Sequence, residues 1–141
     1  MSDNSNIVTP PECVGVIFGA EHAVYADTGF EAIRDETFTP EPYVYDTTPS
    51  APNLVEQIVS VFPSADKAQA VLASSQKRWR SCAQGTVTRK LYEGADAYEL
   101  GSVQLQGDVL TVSMVAINRE SSDSACQQVL RNSQDLWIGL D

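Results

Sequence analysis

Apolar side chains recur at three- and four-residue spacing between Ser64 and Cys82, which is the spacing of one helical face. Ser64 can cap the first turn of this helix, and Gly85 follows its end. The pattern therefore predicts a helix from Ser64 to about Cys82, with Trp79 in the core. The apolar stripe consists of Ala65, Ala68, Val71, Leu72, Ser75, Trp79 and Cys82, and the opposite face carries Lys67, Gln69, Lys77, Arg78 and Arg80.

Alternating apolar and polar positions predict two strands before this helix. Phe30 to Phe38 alternates roughly, as an exposed or edge strand does. Leu54 to Phe62 has apolar residues at both odd and even positions, which point to opposite faces of a strand, so the pattern predicts a strand buried on both faces. Between them, Pro40 to Asn53 holds four prolines and is predicted to be a loop, because proline cannot donate to a strand ladder.

After the helix the pattern predicts an antiparallel meander of three strands. They are Thr86 to Tyr92, Tyr98 to Leu105 and Val109 to Ile117, separated by segments that contain Gly94 and Gly107. One face of the third strand is apolar and is expected in the core: Leu110, Val112, Met114 and Ala116. A further stretch, Cys126 to Arg131, belongs to the strand region that follows.

The N-terminal part of the chain predicts short helices. Thr9 can cap a helix that has Pro10 at its first position and Glu12 as the third residue of a capping box. This helix would carry Cys13. A further single turn is predicted from Glu21 to Tyr25.

Together these elements predict an α+β fold in a single domain, residues 1 to 141. It comprises an antiparallel sheet of about five to six strands, packed with one long and one or two short helices. At 141 residues the chain is long enough to bury about two-thirds of its unfolded surface.

The net charge of −10 excludes some classes of partner. It repels phosphate backbones and anionic lipid headgroups, so we expect no nucleic acid partner. No apolar run approaches the ~20 residues of a membrane helix. Residues 1 to 6 lack the features of a signal peptide, so any membrane anchor is expected outside this chain.

The candidate catalytic and metal-binding motifs are weak. Ser74 and Lys77 have the Ser-x-x-Lys spacing, but the companion Lys-Thr-Gly motif is missing from the sequence. His22 is the only histidine, and no nucleophile adjacent to it in sequence defines a triad. The three cysteines are too widely spaced for a zinc site, and we expect neither a metal nor a cofactor.

Five short segments resemble, in the same order, those of the PknH-like extracellular sensor domain, which occurs on mycobacterial receptor kinases and related envelope lipoproteins. The segments are Val8-Thr-Pro-Pro-Glu-Cys13, Val24-Tyr-Ala-Asp-Thr-Gly29, Val59-Ser-Val-Phe-Pro-Ser-Ala65, Arg78-Trp-Arg-Ser-Cys-Ala83 and Ala125-Cys-Gln-Gln-Val-Leu130. The resemblance implies an antiparallel sheet packed with helices around a ligand cleft. It also implies a non-catalytic domain outside the cytoplasm, in the cell envelope.

The resemblance implies binding or sensing of an unidentified small or lipid-derived ligand. The alternative is a structural or protein-partner module of a lipoprotein. Members usually have four cysteines in two bridges, whereas this chain has three, so the resemblance implies a trimmed or divergent member. We expect a disulfide between Cys82 and Cys126, since one closes the helix stripe and the other begins the strand region after the meander. Pairing of either with Cys13 is the alternative.

The expected ligand cleft is lined by the proline- and tyrosine-rich loop and by the meander. Tyr43, Tyr45, Tyr92 and Tyr98 are its candidate ligand-binding residues, because tyrosine combines apolar area with a polar tip. The loop has no basic residue, so an anionic ligand would need Arg34, Arg89 or Lys90 from neighbouring strands. We therefore expect a neutral or amphipathic ligand in this cleft.

Overall fold

The longest helix is where the apolar periodicity predicts it. The computed structural model describes residues 1–38, 55–118 and 125–133, and in it α3 spans Ala65–Cys82. The Ser64 hydroxyl accepts a hydrogen bond from the backbone N–H of Lys67 at 3.3 Å, which satisfies one donor of the first turn. The predicted core position of Trp79 is confirmed, since its side chain is 4% exposed. The other buried residues of α3 are Val71, Leu72, Ser75 and Cys82.

An antiparallel sheet of six strands forms the body of the protein. Its strands are β1 (Val8–Thr9), β4 (Thr86–Lys90), β5 (Ala95–Leu100), β6 (Gln104–Gln106), β7 (Val109–Ala116) and β8 (Ala125–Arg131). The order is β1-β4-β5-β7-β6, and β8 pairs with the other edge of β7. The α+β fold is thus confirmed.

The predicted second meander strand is divided in two. β5 begins at Ala95, earlier than predicted, because Ala95 pairs with Lys90 across the turn at Gly94. Gly94 and Gly107, which has φ of 60°, both adopt the left-handed backbone conformation that glycine tolerates. Beyond Leu100 the pairing with β7 is interrupted, and β6 resumes it from Gln104.

The core lies between one face of this sheet, α3 and the N-terminal segment. The apolar face predicted for β7 is confirmed, since Leu110, Val112, Met114 and Ala116 are all buried. Leu110 and Val112 pack with a set that comes from all three parts of the fold: Val8, Cys13, Val14, Val16, Leu72, Trp79, Cys82 and Val87.

The N-terminal segment begins with a strand rather than a helix cap. Thr9 pairs with Thr88 in the sheet, so its predicted role as a cap is wrong, and Pro10 precedes the first helical turn instead. A 3₁₀ helix (Pro11–Cys13) and α1 (Val14–Ile17) follow, so Cys13 does lie in a short helix. α2 (His22–Tyr25) confirms the predicted single turn.

The disulfide joins Cys13 to Cys82, with 5.8 Å between their Cα atoms, so the expected Cys82–Cys126 pair is wrong. The 3₁₀ helix packs on α3 and brings Cys13 to the end of the helical stripe. Cys126 instead lies opposite Met114 in β8, where its thiol is free and exposed.

β2 (Ala32–Phe38) and β3 (Val55–Val61) lie directly before α3 in the chain and form a separate antiparallel sheet. The exposure predicted for β2 is confirmed. The prediction that β3 is buried on both faces is wrong, because none of its residues is fully buried and Val55 is 58% exposed. β3 pairs with β2 in a sheet separate from the six-stranded sheet, whose face bears the core. The predicted loop Pro40 to Asn53 lies outside the described residues.

Gly19 lets the two-stranded sheet approach the N-terminal segment. A Cβ atom at this position would lie 1.7 Å from Ile58 Cδ1 and 3.2 Å from a carboxylate oxygen of Glu56. Glycine thus permits this close approach, and a larger residue would have to displace the end of the Ile58 side chain.

We expect Gly19→Ala to lower the free energy of unfolding by about 1–3 kcal/mol, the usual cost of overpacking. The measurement is a urea titration followed by far-ultraviolet circular dichroism. Gly85→Ala is the control, because a Cβ at Gly85 meets nothing within 4 Å. Equal stability of Gly19→Ala and the wild type would contradict this contact.

The disulfide closes a separation of 69 residues. In the chain-entropy model it stabilises the folded state by about 4 kcal/mol, since the cross-link restricts the unfolded chain. A Cys13→Ala, Cys82→Ala double variant should lose roughly this amount in a urea titration. Cys126→Ala is the control and should unfold like the wild type. Peptide mapping that found Cys126 cross-linked to Cys82 would refute the assignment.

Candidate functional site

A groove between α2 and α3 contains two adjoining cavities. Their volumes are about 180 and 240 Å³. Both are lined by Val24, Asp27, Thr28 and Ser74, so they form one continuous groove, here termed the α2–α3 groove.

One wall of the α2–α3 groove is a straight line of side chains along α3. Lys67, Val71, Ser74 and Arg78 are spaced by four, three and four residues, which places them on one helical face. This line runs beside the buried stripe that contains Ser75 and Trp79. Lys67 lines the smaller cavity and Arg78 the larger one, so there is a cation at each end.

The opposite wall is α2 and the turn that follows it. The Thr28 hydroxyl donates to the carbonyl oxygen of Tyr25 at 2.7 Å, which holds the turn against the helix. Tyr25 is itself buried and makes an edge-on contact with Phe30, with 6.3 Å between the ring centroids. Arg78 Nη1 donates to the carbonyl oxygen of Ala23 at 3.0 Å and thereby links the two walls.

The groove combines groups suited to a small polar molecule. Val24 and Val71 offer apolar surface, Thr28 and Ser74 offer hydroxyls, and Asp27 offers a carboxylate to both cavities. His22 and Ser74 line the same cavity, but within the described part of the chain no hydrogen bond joins them, and Lys77 does not line the groove.

A second polar cluster lies on the core-facing side of β4 and β5. Arg89 forms an ion pair with Asp96, which is 3% exposed, and the Tyr98 hydroxyl donates to the same carboxylate at 3.0 Å. The Arg89 guanidinium carbon lies 5.8 Å from the ring centroids of both Phe18 and Tyr98. This cation–π arrangement fixes Tyr98 inside the fold.

The predicted ligand-binding tyrosines are not brought together where the structure describes them. Tyr98 is buried at 9% exposure, whereas Tyr92 is fully exposed beside the turn between β4 and β5. Tyr43 and Tyr45 lie outside the described residues. Ligand binding by these four residues stays a prediction.

The α2–α3 groove was not predicted from the sequence, although the sequence contains one of its two walls as a regular spacing along α3. The spacing of Lys67, Val71, Ser74 and Arg78 identifies a helical line, but not the segment that faces it. α2 has only four residues, and its position along α3 depends on contacts that are distant in sequence.

Neither a metal centre nor a membrane span is found in the ranges 1–38, 55–118 and 125–133. No three His, Cys, Asp or Glu residues there are grouped so as to hold a metal ion. No described helix is both long and apolar enough to cross a bilayer.

Carboxylates lie close together where the two-stranded sheet meets the N-terminal segment. Glu21 is fully buried, and its carboxylate accepts hydrogen bonds from the backbone N–H and the side-chain amide of Asn4. Burial raises the pKa of Glu56 above its ordinary value, and the charge of Asp35, a hydrogen bond with Asp35 and the charge of Glu21 raise it further.

The chain belongs to the PknH-like extracellular domain family, whose model matches residues 1–138. Two of its relatives are the serine/threonine-protein kinases PknH of Mycobacterium bovis and Mycobacterium tuberculosis. Each is 28% identical to this chain over 141 residues, which is all of the chain. The chain spans only 22% and 21% of the lengths of these kinases, respectively.

The fold also resembles the crystal structure of the extracellular domain of PknH from Mycobacterium tuberculosis. The TM-score is 0.71 at 27% sequence identity, over 89% of this chain and 62% of that one. The matched structure is therefore an extracellular domain and not a kinase domain.

Glu56 should make stability depend on pH. Because its pKa is raised in the folded state, its contribution is present below the ordinary pKa of 4.5 and is lost as the pH rises through the folded-state value. Glu56→Gln should therefore gain about 0.5 kcal/mol over the wild type at pH 7, the scale of largely exposed charges, and much less at pH 3.5.

The measurement for Glu56→Gln is a pair of urea titrations at the two pH values. Glu36→Gln is the control, since it removes the same charge from the opposite face of the two-stranded sheet. A gain that does not change with pH would argue against the carboxylate cluster.

Proposed function

We propose that this chain is an extracytoplasmic, non-catalytic domain of the mycobacterial cell envelope that binds and senses a small ligand. The observation that carries the proposal is the family match over residues 1–138, together with relatives that are receptor-type kinases bearing an extracellular domain. The domain would be held at the membrane only through an anchor outside this chain.

The α2–α3 groove supports ligand binding because it combines shape with mixed chemistry. Hydroxyls, a carboxylate, two cations and apolar side chains converge on one concave surface. Binding sites typically combine such convergent polar groups with apolar walls. The net charge of −10 makes nucleic acids and anionic membrane surfaces poor partners.

The mechanism we propose is capture of a ligand between two elements that are joined by few other links. Within the described residues, one hydrogen bond of Arg78 spans the groove from α3 to the carbonyl of Ala23. A ligand that contacts both walls would favour one spacing of α2 and α3 over others and so shift the population of conformations. The sensing step would be the transmission of this change in the spacing of α2 and α3 to the rest of the parent protein.

A protein-partner module of an envelope lipoprotein is the second candidate. It is favoured by exposed apolar side chains on the outer face of the main sheet, where Val115, Ile117 and Val129 are 45%, 48% and 54% exposed. Exposed apolar patches on soluble domains often mark interaction surfaces. In this case no small molecule would occupy the groove.

Native mass spectrometry of the protein purified from its own host tests the proposal. We expect the wild type to retain a small molecule. Ser74→Trp should lose it, because Ser74 lines both cavities and a tryptophan would fill them. Ala73→Trp is the matched control, because Ala73 is an exposed residue of α3 that lines neither cavity. A wild-type protein without a bound mass, or equal retention by Ser74→Trp, would favour the partner module.

A further inference from the structure

We infer that the α2–α3 groove binds an anionic monosaccharide, that is, one sugar ring carrying a phosphate or carboxylate group. The inference rests on the proposed function, since it takes the groove to be the ligand site. It differs from the neutral ligand expected for a cleft at the proline-rich loop, because the groove contains cations that the loop lacks.

The anion would lie at the Arg78 end of the groove. The Arg78 guanidinium is anchored by its bond to the Ala23 carbonyl, and no other described residue accepts its remaining N–H donors. A guanidinium offers five donors in a planar fork that matches phosphate and carboxylate oxygens. His22 lines the same cavity and can add an imidazole N–H.

Cations are locally concentrated on this helix although the protein as a whole is acidic. Four of the nine Lys and Arg residues, Lys67, Lys77, Arg78 and Arg80, lie in the 18 residues of α3. The acidic remainder of the surface repels anions, so an anionic ligand would be favoured at this helix over other places.

The sugar hydroxyls would be recognised at the centre of the groove. Asp27 lines both cavities, and its carboxylate can accept hydrogen bonds from ligand hydroxyls. The Thr28 hydroxyl already donates to Tyr25, so it can accept from the ligand, and Ser74 can donate or accept. Val24 and Val71 can contact the C–H face of the ring. Asp27 would also repel a ligand that is anionic along its whole length.

The size of the groove restricts the ligand to a small molecule. Its two adjoining cavities, about 180 and 240 Å³, together reach only the lower part of the ~300–1,000 Å³ range typical of pockets for drug-sized ligands. The groove therefore has room for a sugar ring with its charged group.

The experiment is a titration of the 141-residue chain with four probes, followed by amide chemical shifts in NMR. The probes are glucose 6-phosphate, glucuronate, glucose and inorganic phosphate. We expect saturable binding of glucose 6-phosphate or glucuronate, with shifts at residues 22–28 and 67–78. Whichever binds tighter identifies the anion. Glucose and inorganic phosphate should each bind at least about tenfold more weakly, since each makes only part of the contacts.

Variants separate the groove from a general effect of charge. Arg78→Gln and Asp27→Asn should each weaken binding at least about tenfold, a loss of about 1.4 kcal/mol. Arg80→Gln removes the same charge from an exposed position of the same helix outside the groove and should bind like the wild type. Lys67→Gln, also exposed, keeps the test informative if Asp27→Asn does not fold, and should weaken binding less than Arg78→Gln.

Two results would overturn the inference. One is the lack of saturable binding by either anionic sugar, and the other is equal weakening by Arg80→Gln and Arg78→Gln. If a host molecule were retained by the wild type and lost in Ser74→Trp while neither anionic sugar bound, the groove would remain the ligand site and only the ligand class would be wrong. If no host molecule were retained and no sugar bound, both proposals would fail.

Discussion

The packing of the N-terminal segment on the end of α3, held by the Cys13–Cys82 disulfide, is the constraint on which the rest of the structure depends. The two cysteines belong to the same cluster of buried core residues as Val14 and Trp79. This packing also determines the path of the chain that follows, because α1 and α2 continue directly from the cross-linked 3₁₀ helix. Further along the same segment, α2 packs on α3 and forms the α2–α3 groove, with Arg78 hydrogen-bonded to the Ala23 carbonyl oxygen.

The same N-terminal segment also contacts the two-stranded sheet of β2 and β3. Gly19 admits Ile58 at close range, and the buried carboxylate of Glu21 is satisfied by Asn4 near the start of the chain. A parallel bridge between Ser2 and Glu21 adds a further link to the first residues. The arrangement brings Glu56 towards other carboxylates, so acidification should tighten this contact rather than loosen it.

Membership of the PknH-like extracellular domain family identifies the kind of domain, whereas the α2–α3 groove is a local feature of its surface. The family match concerns this domain alone, because the matched kinases are about five times longer than this chain. The α2–α3 groove is a concave surface lined by polar and apolar side chains, whereas Tyr98 is buried and Tyr92 is exposed. The Arg89–Asp96 pair beside Tyr98 acts instead as a polar part of the interior.

Elements whose signal is local could be predicted from the sequence: α3 with Trp79 in the core, the glycine turns of the meander, and the buried face of β7. In each case neighbouring residues along the chain carry the periodicity that the fold uses. Tertiary structure alone decided the partner of Cys82, the exposure of β3 and the facing of α2 towards Lys67 and Arg78. These features depend on which distant segments pack together, and one helical or strand period does not encode that choice.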